Sequence, residues 1–464
     1  MNPLREYSHI HSRASVLVLW VFIVLLLGAC AQNITSSRTR KELDKAMAGQ
    51  DITKALSIVE KPGMYRKKEQ LLYYLDAGML HHFQGNWQQS NELLQLAEDA
   101  IQELYTKSVS RSAASILLND NSLEYSGEDY EDVYINVFKA LNFLEMGNLE
   151  SAMVEVRRVD EKLSLLEQKY ARIAKEMDLD SEAKIKFKSS RGRFHSSALA
   201  RYLSMVLYQT NNYHDDARID FNNVQYAFAS QPELYPFSAP KIIEPKLDTK
   251  GHVLRVLSFV NRGPYKRPLE MHVHTSKDLL IIGTANNDID IDTIPWEGID
   301  EGYYFKFAIP YLEDRERKIG RVDLVTADGK RYTLKKLEDM SLIARRSYEL
   351  KEPMIIFKSV SRTVLKGLAA EKAKEQARKS SSDLGATLLS LVADAAVFLS
   401  ENADLRISQF FPSEALIAEI PVSTGDQSIR MEYFSPKGRL IHSEQHNLQV
   451  GTNKPNLICT WYFE

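Results

Sequence analysis

The sequence predicts an α+β chain, with an irregular α-solenoid first and then a strand-rich, β-sandwich-like region carrying two inserted helices. Three observations predict it. Between about 38 and 228 apolar residues recur every three and four positions, with few prolines or glycines. After the proline-marked stretch QPELYPFSAPKIIEP the alternation changes to period two. The run RVDLVTADGKRYTLKKL then places β-branched and apolar residues on both sides of Asp328-Gly329, a dipeptide suited to a tight hairpin turn.

Composition bounds the function classes. The 464 residues include 59 Lys plus Arg against 62 Asp plus Glu and are 44% hydrophobic. That length gives two or three domains with ample core, and the ordinary apolar fraction excludes a disordered chain or a multi-span membrane protein. A near-neutral charge is no footprint of a nucleic-acid binder. Two cysteines, Cys30 and Cys459, cannot form a disulfide framework and lack the paired spacing of a zinc site.

Residues 1–29 read as a signal peptide. Arg5 and Arg13 precede an apolar run from Val16 to Leu27, which is too short for a span of roughly 20 residues. The run ends in Leu27-Gly28-Ala29-Cys30, which resembles the lipobox of bacterial lipoproteins. That resemblance implies cleavage before Cys30, lipidation of its thiol, and a mature chain of net charge −4. Two or more acyl chains anchor stably where one does not. Ala31 and Gln32 lack the aspartate of an inner-membrane retention signal, so the expected location is the outer membrane, periplasm-facing, with residues 30–40 as a lipidated tether.

Residues 41–235 form the predicted helical domain. Gly78, Gly85, Trp87, Ser90, Leu94 and Ala97 recur in kind as Ala140, Gly147, Leu149, Ala152, Val156 and Val159. This resembles the tetratricopeptide repeat, with small residues where paired helices cross. Weaker copies turn at Gln50 and Asn211, the latter with one extra residue. The turns at Gln50 and Gly85 lie 35 residues apart, while Gly85 to Gly147 is 62, so longer elements interrupt the array near 105–128 and 160–192. By repeat register the first helices expose a groove of Leu72, Leu75, Met79, His82, Phe83, Tyr134, Val137, Leu141, Leu144 and Glu145. An open apolar groove binds a partner; the alternative is that the next segment of the chain fills it. Lys184, Lys186, Lys188, Arg191 and Arg193 read as a solvated loop or an anion-facing strip. Adjacent Arg157 and Arg158, beside Glu155, must point in different directions on their helix, one to a structural pair and one toward a partner.

The strand-rich region spans 250–345, with short apolar or alternating runs at Val253–Val260, Leu269–His274, Leu279–Ile282 and Tyr303–Ile309. A helical segment follows at 353–402: a basic helix near 358–379, a serine-rich break, then LGATLLSLVADAAVFLSEN, a buried helix rather than a membrane span. Residues 403–464 return to strands that complete the β domain, with Cys459 a buried small hydrophobe in the last one.

Chemistry is sparse. No P-loop, G-x-S-x-G, H-E-x-x-H or G-x-G-x-x-G occurs, and no cofactor is expected. His272 and His274 share a strand face without an evident third metal ligand. Asn286, Asp288, Asp290, Asp292 and Glu297 echo a calcium loop, but Ile291 stands where the sharp turn needs glycine.

The segments NVFKALNFLEMGNLESAMVEVRRVDEKL, ARYLSMVLYQTNNYHDDARIDF, FKFAIPYL, VSRTVLKGLAAEKAKEQ and ADLRISQFFPSEALIAEIPVSTG resemble an uncharacterised family of proteobacterial lipoproteins with tetratricopeptide-like repeats. The resemblance implies a membrane-anchored periplasmic protein, at times associated with lipoproteins similar to activators of peptidoglycan synthases. It marks Glu155, Arg157, Arg158, Arg406 and Pro412 as motif residues without a role. The stretch His272–Ile282 departs from the family's usual strand. The expectation is a non-enzymatic adaptor for cell-envelope proteins, possible partners including other lipoproteins; the rivals are an envelope enzyme acting on glycan or lipid, its site between the β domain and 384–400, and an accessory lipoprotein of a secretion or surface-polymer system.

Overall fold

The computed structural model describes residue 39 and residues 41–110, 120–179, 194–245, 252–284, 292–380 and 403–463. Cys30 and the signal, the basic strip at 184–193, Asn286 to Asp290 and the apolar stretch 384–400 lie outside the described residues. The fold is α+β. By contacts the chain divides into a unit ending at Met64 and a larger one from Tyr65 onward.

The first unit holds helix α1 (41–48) and α2 (Ile52–Val59). Asp51 caps α2 by accepting the Lys54 N–H at 2.9 Å.

The second unit opens with three antiparallel helix pairs: α3 (Gln70–Gln84) with α4 (Trp87–Ser110), α5 (Asp129–Glu145) with α6 (Leu149–Leu179), and α7 (Ala198–Thr210) with α8 (His214–Ser230). The turn between partners follows one rule in both units. Gln50, Gly85, Gly147 and Asn212 each adopt positive φ two residues before the next helix starts. The third left-handed position is thus Asn212, not the Asn211 aligned from sequence, because the extra turn residue moves it along by one. Long second helices, 24 residues in α4 and 31 in α6, account for the irregular spacing. At Gly78, α3 and α4 pack closely, since a Cβ there would meet Leu94 Cδ2 at 2.8 Å.

Among the described residues, twelve strands form three four-stranded sheets. The first has the order β12 (Leu457–Tyr462), β1 (His252–Arg262), β9 (Pro412–Val422), β8 (Lys335–Asp339); the second, β11 (Leu440–Val450), β10 (Gly425–Phe434), β6 (Arg321–Thr326), β7 (Arg331–Thr333). These two share one apolar core, in which Val256, Ile420 and Ile458 of one sheet meet Leu324, Met431 and Tyr433 of the other. The third sheet, β4 (Asp292–Pro295), β3 (Leu279–Thr284), β2 (Tyr265–Ser276), β5 (Tyr304–Glu313), has a separate core with helix α9 (Met340–Ser380) through Val273, Ile309, Val360 and Val364.

Helix α9 starts earlier than the predicted segment at 353. Asp339, the last residue of β8, accepts the Leu342 N–H at 2.9 Å and caps the helix there, so Met340–Arg345 is helical rather than strand-rich. Pro353 lies inside the helix instead of bounding it.

The first sheet is buried on both faces. Val256, Ile420 and Ile458 point into the shared core, while Phe259 and Trp461, at the alternate positions, point to the helices. Phe83 of α3 lies 4.6 Å from Phe463 and 5.2 Å from Trp461, and Phe138 of α5 lies 5.1 Å from Phe259, ring centre to ring centre.

Candidate functional site

The predicted groove is occupied by the chain itself. Leu75, Met79, His82, Phe83, Tyr134, Val137 and Leu141 are buried and Leu72 is half-buried, so these residues present no partner-binding surface. The register reasoning located the inner face of the helices; the first sheet supplies its cover because the outward side of that sheet is equally apolar. Glu145 differs. It is exposed at the end of α5 and lines a cavity of about 260 Å3 with Leu144, Leu448, Lys454 and Leu457. Burial pushes its carboxyl upward.

The interface is also polar in three places, and these carry its specificity. The first is Glu338 of β8, 0% exposed. Its carboxylate accepts the hydroxyls of Tyr134 at 2.6 Å, Ser197 at 2.8 Å and Tyr235 at 2.8 Å, and the Leu199 N–H at 3.1 Å. Ser197 serves twice, because its oxygen also accepts the Ala200 N–H as the cap of α7. Burial pushes the Glu338 carboxyl up, opposed by these donors. The second is Glu419 of β9, which accepts the Tyr202 hydroxyl at 3.0 Å and the Ile243 N–H at 2.6 Å beside Arg255 Nε at 3.3 Å.

The third place surrounds the start of α5. Glu128 and Glu131 form a capping box, and the acidic first turn suits the positive end of the helix dipole. Glu131 accepts the Tyr125 hydroxyl at 2.7 Å, the Glu128 N–H at 2.8 Å and the Ser408 N–H at 2.7 Å. Asp76 of α3 accepts the Ser408 hydroxyl at 2.7 Å, the Gln409 N–H at 2.9 Å and the Tyr65 hydroxyl at 2.8 Å. Burial, with the Glu128 charge behind it, pushes the Glu131 carboxyl up to about 7. Burial also raises Glu128, but Lys266 at 2.5 Å and Lys351 at 3.2 Å outweigh it and hold that carboxyl low.

The motif residues fall into structural positions. Arg406 forks onto Asp404 at 2.7 and 2.8 Å and donates to the Asp120 carbonyl at 2.8 Å and the Leu123 carbonyl at 2.9 Å. It thereby fastens the ISQFFP segment to the loop before α5. Pro412 opens β9, buried, paired in register with Arg262. Glu155 is buried, accepts from Asn136 at 2.6 Å and pairs with Lys139 at 3.1 Å. Arg158 pairs with Glu155 at 3.4 Å and Glu98 at 3.5 Å, while Arg157 turns away to the Tyr208 hydroxyl at 3.2 Å. Burial pushes Glu98 up, yet Lys162 and Lys139 hold its carboxyl at about 2.

Sequence reading missed Glu338, Glu131, Asp76, Glu419 and Arg255. One signal existed: Asp76 between Leu75 and Ala77, and Arg255 within the apolar run Val253–Val260, are charges at positions the periodicity assigns to the interior.

Among the described residues no group of three or more His, Cys, Asp or Glu could hold a metal ion. His272 and His274 lie 5.2 Å apart, ring centre to ring centre, on the face of the third sheet away from α9, with the Tyr304 ring stacked on His272 and tilted against His274. Cys459 is half-buried on the helix-facing side of β12 rather than in the core between the sheets. Burial and then the Glu145 charge raise its thiol. No helix among the described residues is long and apolar enough to cross a membrane. No family model, curated protein or solved structure matches the chain.

Proposed function

We propose that this chain is an outer-membrane-anchored periplasmic lipoprotein that acts as a non-enzymatic, tetratricopeptide-like adaptor for cell-envelope proteins. The anchor rests on the lipobox Leu27-Gly28-Ala29-Cys30. The observation that carries the adaptor reading is where apolar surface remains. With the inner helices committed to the first sheet, the second helix of each pair keeps large exposed side chains: Leu96 on α4, Val154 and Leu165 on α6, Ile219 and Tyr226 on α8. Leu165 is 60% exposed and Tyr226 58%. A helical body whose inner surface is sealed offers partners its outer face.

The test separates anchor from docking. Cys30→Ser is expected to move the chain from the membrane to the soluble envelope fraction; retention in the membrane overturns the lipid anchor. A photo-crosslinker at Ile219 or Tyr226 in living cells is expected to trap one recurrent envelope protein, and the same group at Lys437 to trap none. Equal labelling from all three positions overturns docking on the outer helices.

A further inference from the structure

The last turn of α5 breaks a local rule. Helix C-termini carry negative partial charge and favour basic side chains, yet α5 ends on Glu145 with no basic residue in its last turn. The fold does not compensate that placement, because no hydrogen bond or ion pair to the Glu145 side chain occurs among the described residues. Burial alone raises its carboxyl, with no charged neighbour set against it. Departures of this kind concentrate at functional sites.

The cavity of about 260 Å3 that Glu145 lines is walled by the turn between β11 and β12. That turn is held in place by side chains already spent on it. Asn456, 6% exposed, closes it by accepting the Gly451 N–H at 3.0 Å and donating to the Gly451 carbonyl at 3.0 Å. Arg255 fastens it to the first sheet by donating to the Pro455 carbonyl at 2.9 Å. Leu144, Leu448 and Leu457 supply apolar lining. Lys454 lines the same cavity, its stem along Gly451 and its ammonium engaged only by Gln449 Oε1 at 3.3 Å. Glu145 and Lys454 do not pair with each other, so the cavity holds one acid and one base, apart.

We infer that this cavity binds a small zwitterion of the α-amino acid type, its ammonium on Glu145, its carboxylate on Lys454 and an aliphatic side chain against the three leucines. Size and charge select the occupant. The volume lies below the roughly 300–1,000 Å3 of drug-sized ligand sites and suits an amino acid. A simple cation would meet Lys454 and a simple anion would meet Glu145, so an occupant carrying both charges is the one that satisfies both ends. With the turn fixed before the ligand arrives, little ordering cost opposes binding.

Ligand-observed NMR on the purified full-length chain in detergent, with leucine as the probe, tests the site. Leucine is expected to bind with a Kd of about 1 mM or tighter. Leucinamide, which lacks the carboxylate, and N-acetylleucine, which lacks the ammonium, are each expected to bind roughly tenfold more weakly or worse. Glu145→Gln keeps the side-chain shape and relieves the helix end, so it is expected to melt no lower than wild type while losing leucine affinity by roughly tenfold. Lys454→Met, on an exposed turn, is expected to lose as much. Wild-type affinity is expected to fall as pH is lowered, since protonation of Glu145 removes the charge the ammonium needs. No leucine binding up to about 10 mM, equal binding of N-acetylleucine, or unchanged leucine affinity in either variant overturns the inference.

Discussion

Glu338 shows how a single carboxylate can join helices to sheet. Four donors converge on it and none can be satisfied by an apolar substitute, so its loss leaves the Tyr134 and Ser197 hydroxyls and the Leu199 N–H without an acceptor, while Tyr235 keeps only a longer contact to the Ser196 carbonyl at 3.3 Å. Each buried orphan costs about 1–3 kcal/mol. Glu338→Ala is therefore expected to lower unfolding free energy by about 4 kcal/mol or more, measured by urea titration. Glu338→Gln, which keeps the shape but turns an NH2 toward donors, is expected to cost about 2 kcal/mol. Equal stability of Glu338→Gln and wild type would show that the carboxylate is protonated in the fold and uses its own O–H. Arg406 works by geometry. Its planar fork spans Asp404 and two carbonyls, and lysine has one nitrogen to offer. Arg406→Lys is expected to lose about 2 kcal/mol and to speed proteolysis between α4 and α5; an unchanged digestion pattern would remove Arg406 from this role.

At the scale of elements, the crossing of α3 and α4 poses a sign question that magnitudes decide. Gly78 is helical, so alanine there gains about 1 kcal/mol of helix propensity. Its Cβ would sit 2.8 Å from the side chain of Leu94, which is 0% exposed. Overpacking of this kind costs about 1–3 kcal/mol. Gly78→Ala is expected to be net destabilising, and the double variant with Leu94→Ala to be more stable than Leu94→Ala alone. A Gly78→Ala variant that melts higher than wild type would mean the crossing is looser than its geometry.

The role of a small residue at this crossing was legible from the repeat, because the spacing of Gly78, Gly85, Ser90 and Ala97 reports a local constraint. The start of α9 was not, since Asp339 acts as a cap only because β8 ends beside β9.

For the molecule as a whole, two buried groups make stability depend on pH in opposite senses. Burial pushes Glu131 up to about 7 from 4.5, so its cost is absent below 4.5 and grows as pH rises through 7. Burial pushes His82 down to about 4 from 6.5, where its ring pairs with Asn142 Oδ1 at 2.6 Å. Its contribution is therefore complete above 6.5 and is lost as pH falls through 4. Between 4.5 and 6.5 the slopes oppose. Relative to wild type, Glu131→Gln is expected to make stability rise more steeply with pH across that window, and His82→Phe to make it fall. Each difference is of order 3 kcal/mol. Parallel pH profiles for all three chains would show that folding shifts neither pKa.

The sequence by itself determined the elements: helices and strands by hydrophobic period, and the helix-pair turns by Gly85, Gly147 and their equivalents. It also located the inner helix face, since repeat register is a local property. What lies against that face was decided by tertiary structure. Leu75, Met79 and Tyr134 read alike whether they meet a partner or the chain's own sheet. The covering residues Phe259, Phe411, Trp461 and Phe463 lie more than a hundred positions away, and one apolar surface satisfies another without any local mark. The polar seam had the same origin. Glu338 and Glu131 look like ordinary surface carboxylates until long-range folding brings Tyr134, Tyr235 and Ser408 onto them, and only then does burial make them indispensable to the join.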